Sequence, residues 1–439
     1  MGLAFRGIFW MCVYVAVAVA PLLFAGFGIA APGLGWVDDF SVALGFLGLT
    51  IMALQFGLVA RFERVSAPFG LDALIQFHRQ IAWVALAFVL AHPILLFVRD
   101  PKKLALLNFL TAPNRARFAV SSVVALLALA VTSVFRKRLK LSYEAWQLAH
   151  GLLAVAVVAL ALAHAYGVGH YMARPWQRVL WVGLSLGLVG LLGWVRLVKP
   201  LVHWRHPWKV VEVRPERGSA WTLVLQPDGH DGFRFAPGQF GWIVVGRSPF
   251  ALTQHPFSFS SSAERPGGEV TLTIKARGDF TSSIASVAPG TRAYVDGPHG
   301  LFTIDRNEGP GFVLVAGGVG ITPLISIVRT MADREDRRPC ILFYGNKDWE
   351  TVTFREELDA LAAKTALQVV HVLERAPEGW KGETGYVTPA LLERHLPPRR
   401  ARLRCFVCGP GPMMDKVEAA LVAVGIPPEH VHTERFDMV

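Results

Sequence analysis

Six apolar stretches crowd the first 200 residues, at about 7 to 30, 38 to 60, 73 to 98, 118 to 135, 144 to 166 and 177 to 198. Each is long enough to cross a ~30 Å hydrocarbon layer as a helix, and a backbone deprived of water has few other ways to satisfy its hydrogen bonds. Residues 1 to 200 therefore read as an all-α membrane bundle of six helices. The N-terminus, Met-Gly-Leu-Ala-Phe-Arg, has no small-residue cleavage site, and its apolar run is long enough to stay as a first span. Charge divides the chain at the same place, with 17 Lys and Arg against 6 Asp and Glu up to residue 200 and 27 against 27 beyond it. The net +11 thus belongs to loops beside the spans. That makes the lipid bilayer the expected partner and argues against nucleic acid.

Four histidines lie in these spans as two pairs of identical spacing, His78 with His92 and His150 with His164. Fourteen residues turn a helix through about 1400°, roughly 40° short of four turns, and lift it ~21 Å, so both members of a pair share one face. Two such helices side by side present two His–His sites stacked across the layer. Imidazole is a haem ligand, and a haem held between two histidines carries electrons. Structural hydrogen bonding or a proton relay explains a single buried His, but packing does not explain four ionisable residues at a duplicated spacing in lipid. No C-x-x-C-H motif is present, so two non-covalent, b-type haems are expected.

An even number of spans puts both termini on one side. The 136 to 140 loop and the segments around Arg61, Arg64, Arg196 and Lys199 make that side cytoplasmic, and the 31 to 37 loop, without Lys or Arg, faces out. A multi-pass protein of the inner cell membrane follows, with His78 level with His150 near the cytoplasm and His92 level with His164 near the outer face. Arg99, Lys102, Lys103, Arg115 and Arg117 crowd the outer side against the charge rule, and neutralisation of haem propionates is one reason for them to do so. Phe88 lies close to His92 on the helical wheel and could bridge two macrocycles, although lipid-facing or packing roles also suit it; Trp83 lies on the other side.

After Pro200 the pattern becomes soluble. Short alternating strands fill 201 to 306, at 208 to 213, 221 to 225, 241 to 245 and 270 to 275, and read as a small antiparallel β-barrel. From 307 to 439 buried strands alternate with helices, starting at Gly311-Phe-Val-Leu-Val-Ala316 and recurring at 341 to 345, 369 to 373, 405 to 408 and 431 to 436. That is the pattern of a doubly wound α/β domain. Three of the four cysteines lie in this cytosolic half and fit a reducing compartment. Cys405 and Cys408 have C-x-x-C spacing but no second Cys or His pair nearby, which argues against a zinc site. No EF-hand loop is present.

Directly after the strand ending at Ala316 comes Gly317-Gly-Val-Gly-Ile-Thr-Pro323, opening a helical Leu-Ile-Ser-Ile-Val-Arg. Gly317, Gly318 and Gly320 let the backbone turn tightly and approach a pyrophosphate, Thr322 can cap, and Pro323 suits the first helical position.

With these motifs in order, residues 208 to 439 resemble the ferredoxin-NADP reductase-like flavoprotein module. Residues 72 to 166 resemble the ferric reductase/NADPH oxidase transmembrane domain, with Phe77-His-Arg and Ala82-Trp83 around the first histidine. The resemblance implies a bacterial flavocytochrome and FAD on the barrel. His255-Pro256-Phe257-Ser258 resembles the flavin motif, in which the first residue reaches the phosphate or ribityl, the aromatic lies on the isoalloxazine and the hydroxyl bonds the hydride-accepting nitrogen. Lys275 and Gly278-Asp279-Phe280-Thr281-Ser282 resemble the next flavin-phosphate segment, and Asp296-Gly-Pro-His-Gly300 the turn ending the barrel. Cys408-Gly409-Pro410 resembles the loop beside the nicotinamide, and Glu434-Arg-Phe436 the ending whose aromatic covers the flavin, here followed by three further residues. Ser258, Cys408, Glu434 and Phe436 are then the implied catalytic set. For the dinucleotide, Lys347 near the end of the second strand, with Arg355 further on, favours the 2′-phosphate of NADPH, with NADH as the alternative.

The expected scheme runs from cytosolic NAD(P)H to FAD, through haems at His78/His150 and His92/His164, to a small external acceptor. Oxygen would make the protein a superoxide producer and ferric iron a metalloreductase. The alternative is an electron-transfer subunit that feeds a dedicated periplasmic protein. A transporter using His for protons would leave the flavin and nucleotide motifs without work.

Overall fold

The computed structural model describes residues 3–26, 35–172 and 174–435. The chain separates into two compact units, Met1–Lys199 and Pro200–Val439.

In the first unit, α1 (Leu3–Gly26), α2 (Trp36–Leu58), α3 (Leu71–Arg99), α4 (Asn114–Val134), α5 (Tyr143–Val168) and α6 (Pro175–Gly193) are six helices long and apolar enough to cross a membrane among the described residues. Their ends follow local chemistry. Ser142 caps α5 by accepting from the Ala145 N–H at 3.2 Å, and Gly169 stops it in the left-handed conformation, φ +71°. The helical segment after α6 outruns the expected limit at Pro200. A π-helical turn, Trp194–Val198, leads into a further helix, Lys199–Arg205. A wide turn placed just before a proline absorbs the missing N–H that would otherwise end the helix. Inside the unit α2 packs along α3 and α4 along α5. The second span is the most enclosed, with half of its apolar window buried.

In the second unit, strands β1 (Trp208–Glu216), β2 (Ala220–Pro227), β3 (Phe240–Val245), β4 (His255–Ser258), β5 (Val270–Lys275) and β6 (Arg292–His299) form an antiparallel sheet in the order β4-β3-β6-β1-β2-β5. The two edges approach each other just past β4, where Phe259 bridges Leu272 of β5 and the Ser260 N–H donates to the Thr271 carbonyl at 2.8 Å. The sheet thereby curls into the expected small barrel around Trp208, Leu223, Ile243, Phe259 and Leu272.

The second sheet is parallel, β10 (Glu383–Thr384), β9 (Leu367–Leu373), β8 (Cys340–Asn346), β7 (Phe312–Gly317), β11 (Arg404–Cys408) and β12 (Val431–Glu434) lying side by side in that order. Helices α7 (Ile321–Asp333) and α8 (Arg355–Ala362) cover one face, and α9 (Pro389–His395) and α10 (Gly411–Ala423) the other. Cys408 and Cys405 sit in the cores of opposite faces, as residues three apart on a strand must. They therefore cannot share one ion, and no group of three His, Cys, Asp or Glu suited to a metal occurs among the described residues. Burial pushes the Cys405 thiol up to about 12, which leaves it a packing residue.

Within this unit the barrel and the parallel sheet are latched together. Arg329 of α7 forms a bidentate pair with Glu357 at 2.7 Å and donates to the Ser260 carbonyl. Arg334 reaches Glu264 and Asp305, at 2.7 and 2.5 Å.

Candidate functional site

The histidines of the helical unit meet in the expected pairs. Ring centroids of His78 and His150 lie 6.4 Å apart, and those of His92 and His164 are also 6.4 Å apart. Two imidazoles on opposite faces of one metal, each at about 2 Å with its ring centre about 1 Å further back, stand roughly 6 Å centre to centre. Neither pair is close enough to hydrogen-bond ring to ring.

The outward nitrogens are mostly secured. His92 Nδ1–H donates to the Ser41 carbonyl at 3.0 Å, and His164 Nδ1–H to the Arg115 carbonyl at 2.8 Å. His150 Nδ1 lies 3.1 Å from Ser133 Oγ. That hydroxyl spends its own proton on the Leu129 carbonyl at 2.7 Å, so it accepts from His150, and from Trp146 Nε1–H at 3.4 Å. A carbonyl can only accept, which fixes the proton on Nδ1 and leaves the lone pair of Nε2 to ligate. Securing the outer nitrogen in this way is the usual condition of a metal-bound histidine. The residues present therefore fit two haems, each of which one histidine from α3 and one from α5 would hold.

Ser41, Ser133 and Trp146 are not singled out by the sequence motifs. A lone serine in an apolar helix carries no signal of its own, and the carbonyls of Ser41 and Arg115 have no side-chain signature at all.

Two members of the basic cluster that follows α3 have protein partners. Lys103 pairs with Asp38 at 3.1 Å, and Arg117 donates to the Leu110 carbonyl at 3.0 Å. Asp39 is bonded to the Tyr171 hydroxyl, so the start of α2 anchors both of the loops that hold these partners. Phe88 packs against the helical core cluster, whereas Trp83 is exposed.

In the second unit the parallel register sets the chemistry at one edge of the sheet. Cys408 pairs with Ala316 on one side and with Glu434 on the other. The carboxyl end of a parallel sheet is where α/β folds bind ligands. Gly317–Gly320 meets Cys408–Met413 here. A Cβ on Gly320 would lie 2.2 Å from the Cys408 carbonyl, and one on Gly317 would lie 2.3 Å from Met413 Sδ and 2.9 Å from Pro410 Cδ. Gly409 is confined by Gly317 in turn, at 3.1 Å.

Thr322 does not cap the following helix. Its hydroxyl donates to the Val319 carbonyl at 3.1 Å, because a 3-10 turn over Gly318–Gly320 starts α7 at Ile321 and makes Pro323 its third residue. Pro323 still falls in the first turn, where no helical partner is lost.

On the barrel side, Ser258 is buried, and its hydroxyl donates to Glu434 Oε2 at 3.4 Å. The strand places Phe257 and His255 beside Phe280: His255 and Phe280 stack at 3.8 Å, and Phe257 and Phe280 face each other at 6.1 Å. Pro256 is held in register opposite Trp242. Gly278–Ser282 closes on itself: Thr281 Oγ1 accepts from the N–H groups of Arg277 and Gly278, both at 2.9 Å, and the Ser282 N–H donates to the Gly278 carbonyl. Asp279 opens the short helix within that loop. Burial first, then the nearby Arg277 and Lys347, hold the Lys275 ammonium below the usual lysine range. Lys275, Arg277 and Lys347 therefore lie near one another, with the Asp348 carboxylate among them. Arg355 instead lies over Trp349 at 4.6 Å and pairs with Glu356 at 3.0 Å. Phe436 lies outside the described residues.

Residues 44–161 match the family model of the ferric reductase like transmembrane component, 200–301 that of an FAD-binding domain and 314–419 that of the oxidoreductase NAD-binding domain. Fold and site together define a multi-pass membrane oxidoreductase that transfers electrons and binds FAD and NAD(P)H. NADH-cytochrome b5 reductase 1 of Lodderomyces elongisporus is 36% identical over 163 residues, 36% of this chain and 54% of that protein, so the chain spans about half the length of this relative. NADH-cytochrome b5 reductase 1 of Eremothecium gossypii is 30% identical over 203 residues, 45% of this chain and 70% of that protein. The flavohem-like FAD/NAD-binding domain of nitric oxide dioxygenase from Vibrio cholerae superposes with a TM-score of 0.47 at 23% identity, over 52% of this chain and 98% of that one. The chain thus joins a ferric reductase like transmembrane component, residues 44–161, to FAD- and NAD-binding domains, and it is related over 203 residues to the NADH-cytochrome b5 reductases.

Proposed function

We propose that the chain carries electrons from cytosolic NAD(P)H across the inner membrane to a small external acceptor, oxygen or ferric iron, with both termini cytoplasmic. The observation that carries this reading is the pair of His–His contacts, equal at 6.4 Å and fourteen residues apart along both helices. When bound, the flavin accepts two electrons as hydride and releases them singly, and the two b-type haems relay single electrons.

The chain's residues do the positioning. His78 with His150 and His92 with His164 hold the two haems. Phe257 offers the flavin an aromatic platform, and Ser258 presents a hydroxyl whose direction Glu434 sets. Gly317, Gly318 and Gly320 leave room for a pyrophosphate at the start of α7, and Cys408 with Gly409 and Pro410 bounds the nicotinamide side. His255 and the Gly278–Ser282 loop with Lys275 shape the flavin-phosphate side. Lys347, beside Lys275, gives a 2′-phosphate a positive surrounding, and NADPH is the donor we assign on that ground. The relatives are NADH-cytochrome b5 reductases, and the ratio of kcat/KM for the two nucleotides decides between them.

The test is haem stoichiometry in purified full-length protein, with superoxide and Fe(II) formation followed in membranes supplied with NADPH. Two haems per chain, one of them lost in His92→Leu, support the reading. One haem or none, or a haem content that His92→Leu leaves unchanged, overturns it.

A further inference from the structure

The second span carries a polar residue at each of the two histidine levels. α2 runs antiparallel to α3, and Ser41 meets His92 while Gln55 meets His78. Ser41 and Gln55 are fourteen residues apart, the spacing of the histidines themselves. Each side chain donates to the main-chain carbonyl of its histidine, Ser41 Oγ to His92 at 2.7 Å and Gln55 Nε2 to His78 at 3.4 Å. Between them glycines let the helices close. A Cβ on Gly45 would lie 3.2 Å from His92 Cγ, and one on Gly48 would lie 2.7 Å from Val89 Cγ2.

The two levels differ at the imidazole. His92, His150 and His164 have their Nδ1 groups bonded, whereas His78 Nδ1 is buried and has no partner among the described residues. Gln55 Oε1 is also buried without a donor. One unmatched donor and one unmatched acceptor therefore belong to side chains already joined through the His78 carbonyl. An amide can donate through Nε2 and accept through Oε1 at the same time.

Resting on the two-haem reading, we propose that Gln55 is the positioning residue of His78. In the haem-loaded protein its side-chain carbonyl accepts the His78 Nδ1–H and completes at the fourth histidine the bond the other three have. Such a bond fixes the tautomer, turns the Nε2 lone pair toward His150 and strengthens the imidazole as a donor. A stronger donor favours ferric over ferrous iron, so Gln55 lowers the potential of one haem only.

The experiment is a redox titration of the visible haem bands in full-length protein, with low-temperature EPR of the ferric state, on wild type, Gln55→Leu, Gln55→Glu and His78→Leu. Expected are two haems in wild type and in both Gln55 variants. Gln55→Leu raises, and Gln55→Glu lowers, the midpoint of the component that His78→Leu removes. A purely structural role for Gln55 would not move the two substitutions in opposite directions. Two haems with unshifted midpoints, or a shift in the other component, overturn the proposal and leave the two-haem reading standing; fewer than two haems in wild type overturn both. If Gln55→Leu does not accumulate, Gln55→Glu decides alone, and an unshifted midpoint counts against the proposal.

Discussion

Ser258 donates to Glu434 across 3.4 Å, although the residues are 176 positions apart and belong to different sheets. Both are buried, and Glu434 stands in register with Cys408. One hydrogen bond therefore ties the flavin strand of the barrel to the nucleotide edge of the parallel sheet, and it sets the direction in which the Ser258 hydroxyl points. On the proposed reading the Ser258 hydroxyl turns its proton from Glu434 to the reacting ring once flavin is bound, and Ser258→Ala removes that donor, a change worth ~10²-fold or more where such a donor acts in the transition state. Stopped-flow reduction of the flavin by NADPH should slow to that extent with FAD content unchanged. Glu434→Gln keeps an acceptor for Ser258 and should slow it less. Equal rates in Ser258→Ala and wild type would show that the hydroxyl has no part in hydride transfer.

Gly320 has no room for a side chain, since a Cβ would lie 2.2 Å from the Cys408 carbonyl and 2.8 Å from the Gly409 N–H, both rigid main chain. Gly320→Ala must push the nucleotide loop away from the Cys408 strand, at a cost of about 1–3 kcal/mol by analogy with overpacked cores. The expected result is a raised KM for NADPH and a lowered Tm. Gly318→Ala separates crowding from backbone strain. Gly318 has φ +52° and no atom within 4 Å of its Cβ position, so only the left-handed conformation is penalised, by roughly 1–2 kcal/mol. A KM in Gly320→Ala no higher than in Gly318→Ala would count against the packing argument.

The spans and the pairing of their histidines were legible because length and a repeated spacing are geometric statements that survive folding. His78 to His92 and His150 to His164 needed only the helical period and two neighbouring helices. The holders of those histidines were harder to see. Ser133 and Ser41 are single small polar residues in apolar runs, and the Arg115 carbonyl is main chain. One signal was present: Ser41, Gly45, Gly48, Met52 and Gln55 recur at alternating steps of four and three, the seam of two closely packed helices. The Ser258 and Glu434 contact was legible only through family resemblance, because no local rule brings positions 176 apart together. Thr322 failed as a cap for a local reason, the extra turn through three glycines that shifts the helix start.

Among the described residues Ser133 is the one side chain hydrogen-bonded to His150, and it also accepts from Trp146. Ser133→Ala leaves the His150 Nδ1–H without its acceptor, and loss of such a partner weakens metal binding by roughly 10–100-fold. Transfer of haem to excess apomyoglobin should then remove one haem from the variant well before the other, while wild type releases both slowly. Release at wild-type rates from Ser133→Ala would show that packing alone holds His150.

His432 gives the second unit an acid-sensitive strand, β12. Its ring packs on Phe406 at 5.1 Å, and its Nε2 is buried without a partner among the described residues. Burial first, then Arg404 and His430, push its pKa down to about 4. The unfolded chain, with an ordinary histidine near 6.5, binds the proton more readily. Between about 6.5 and 4 the unfolded state therefore carries more protons, and stability rises with pH across that window and is lost as pH falls through it. Thermal release of FAD fluorescence from full-length protein should occur at lower temperature at pH 5 than at pH 7.5. In His432→Phe, which keeps an aromatic ring against Phe406 and removes the titrating group, that difference should shrink, whereas an undiminished difference would assign the acid sensitivity to other groups.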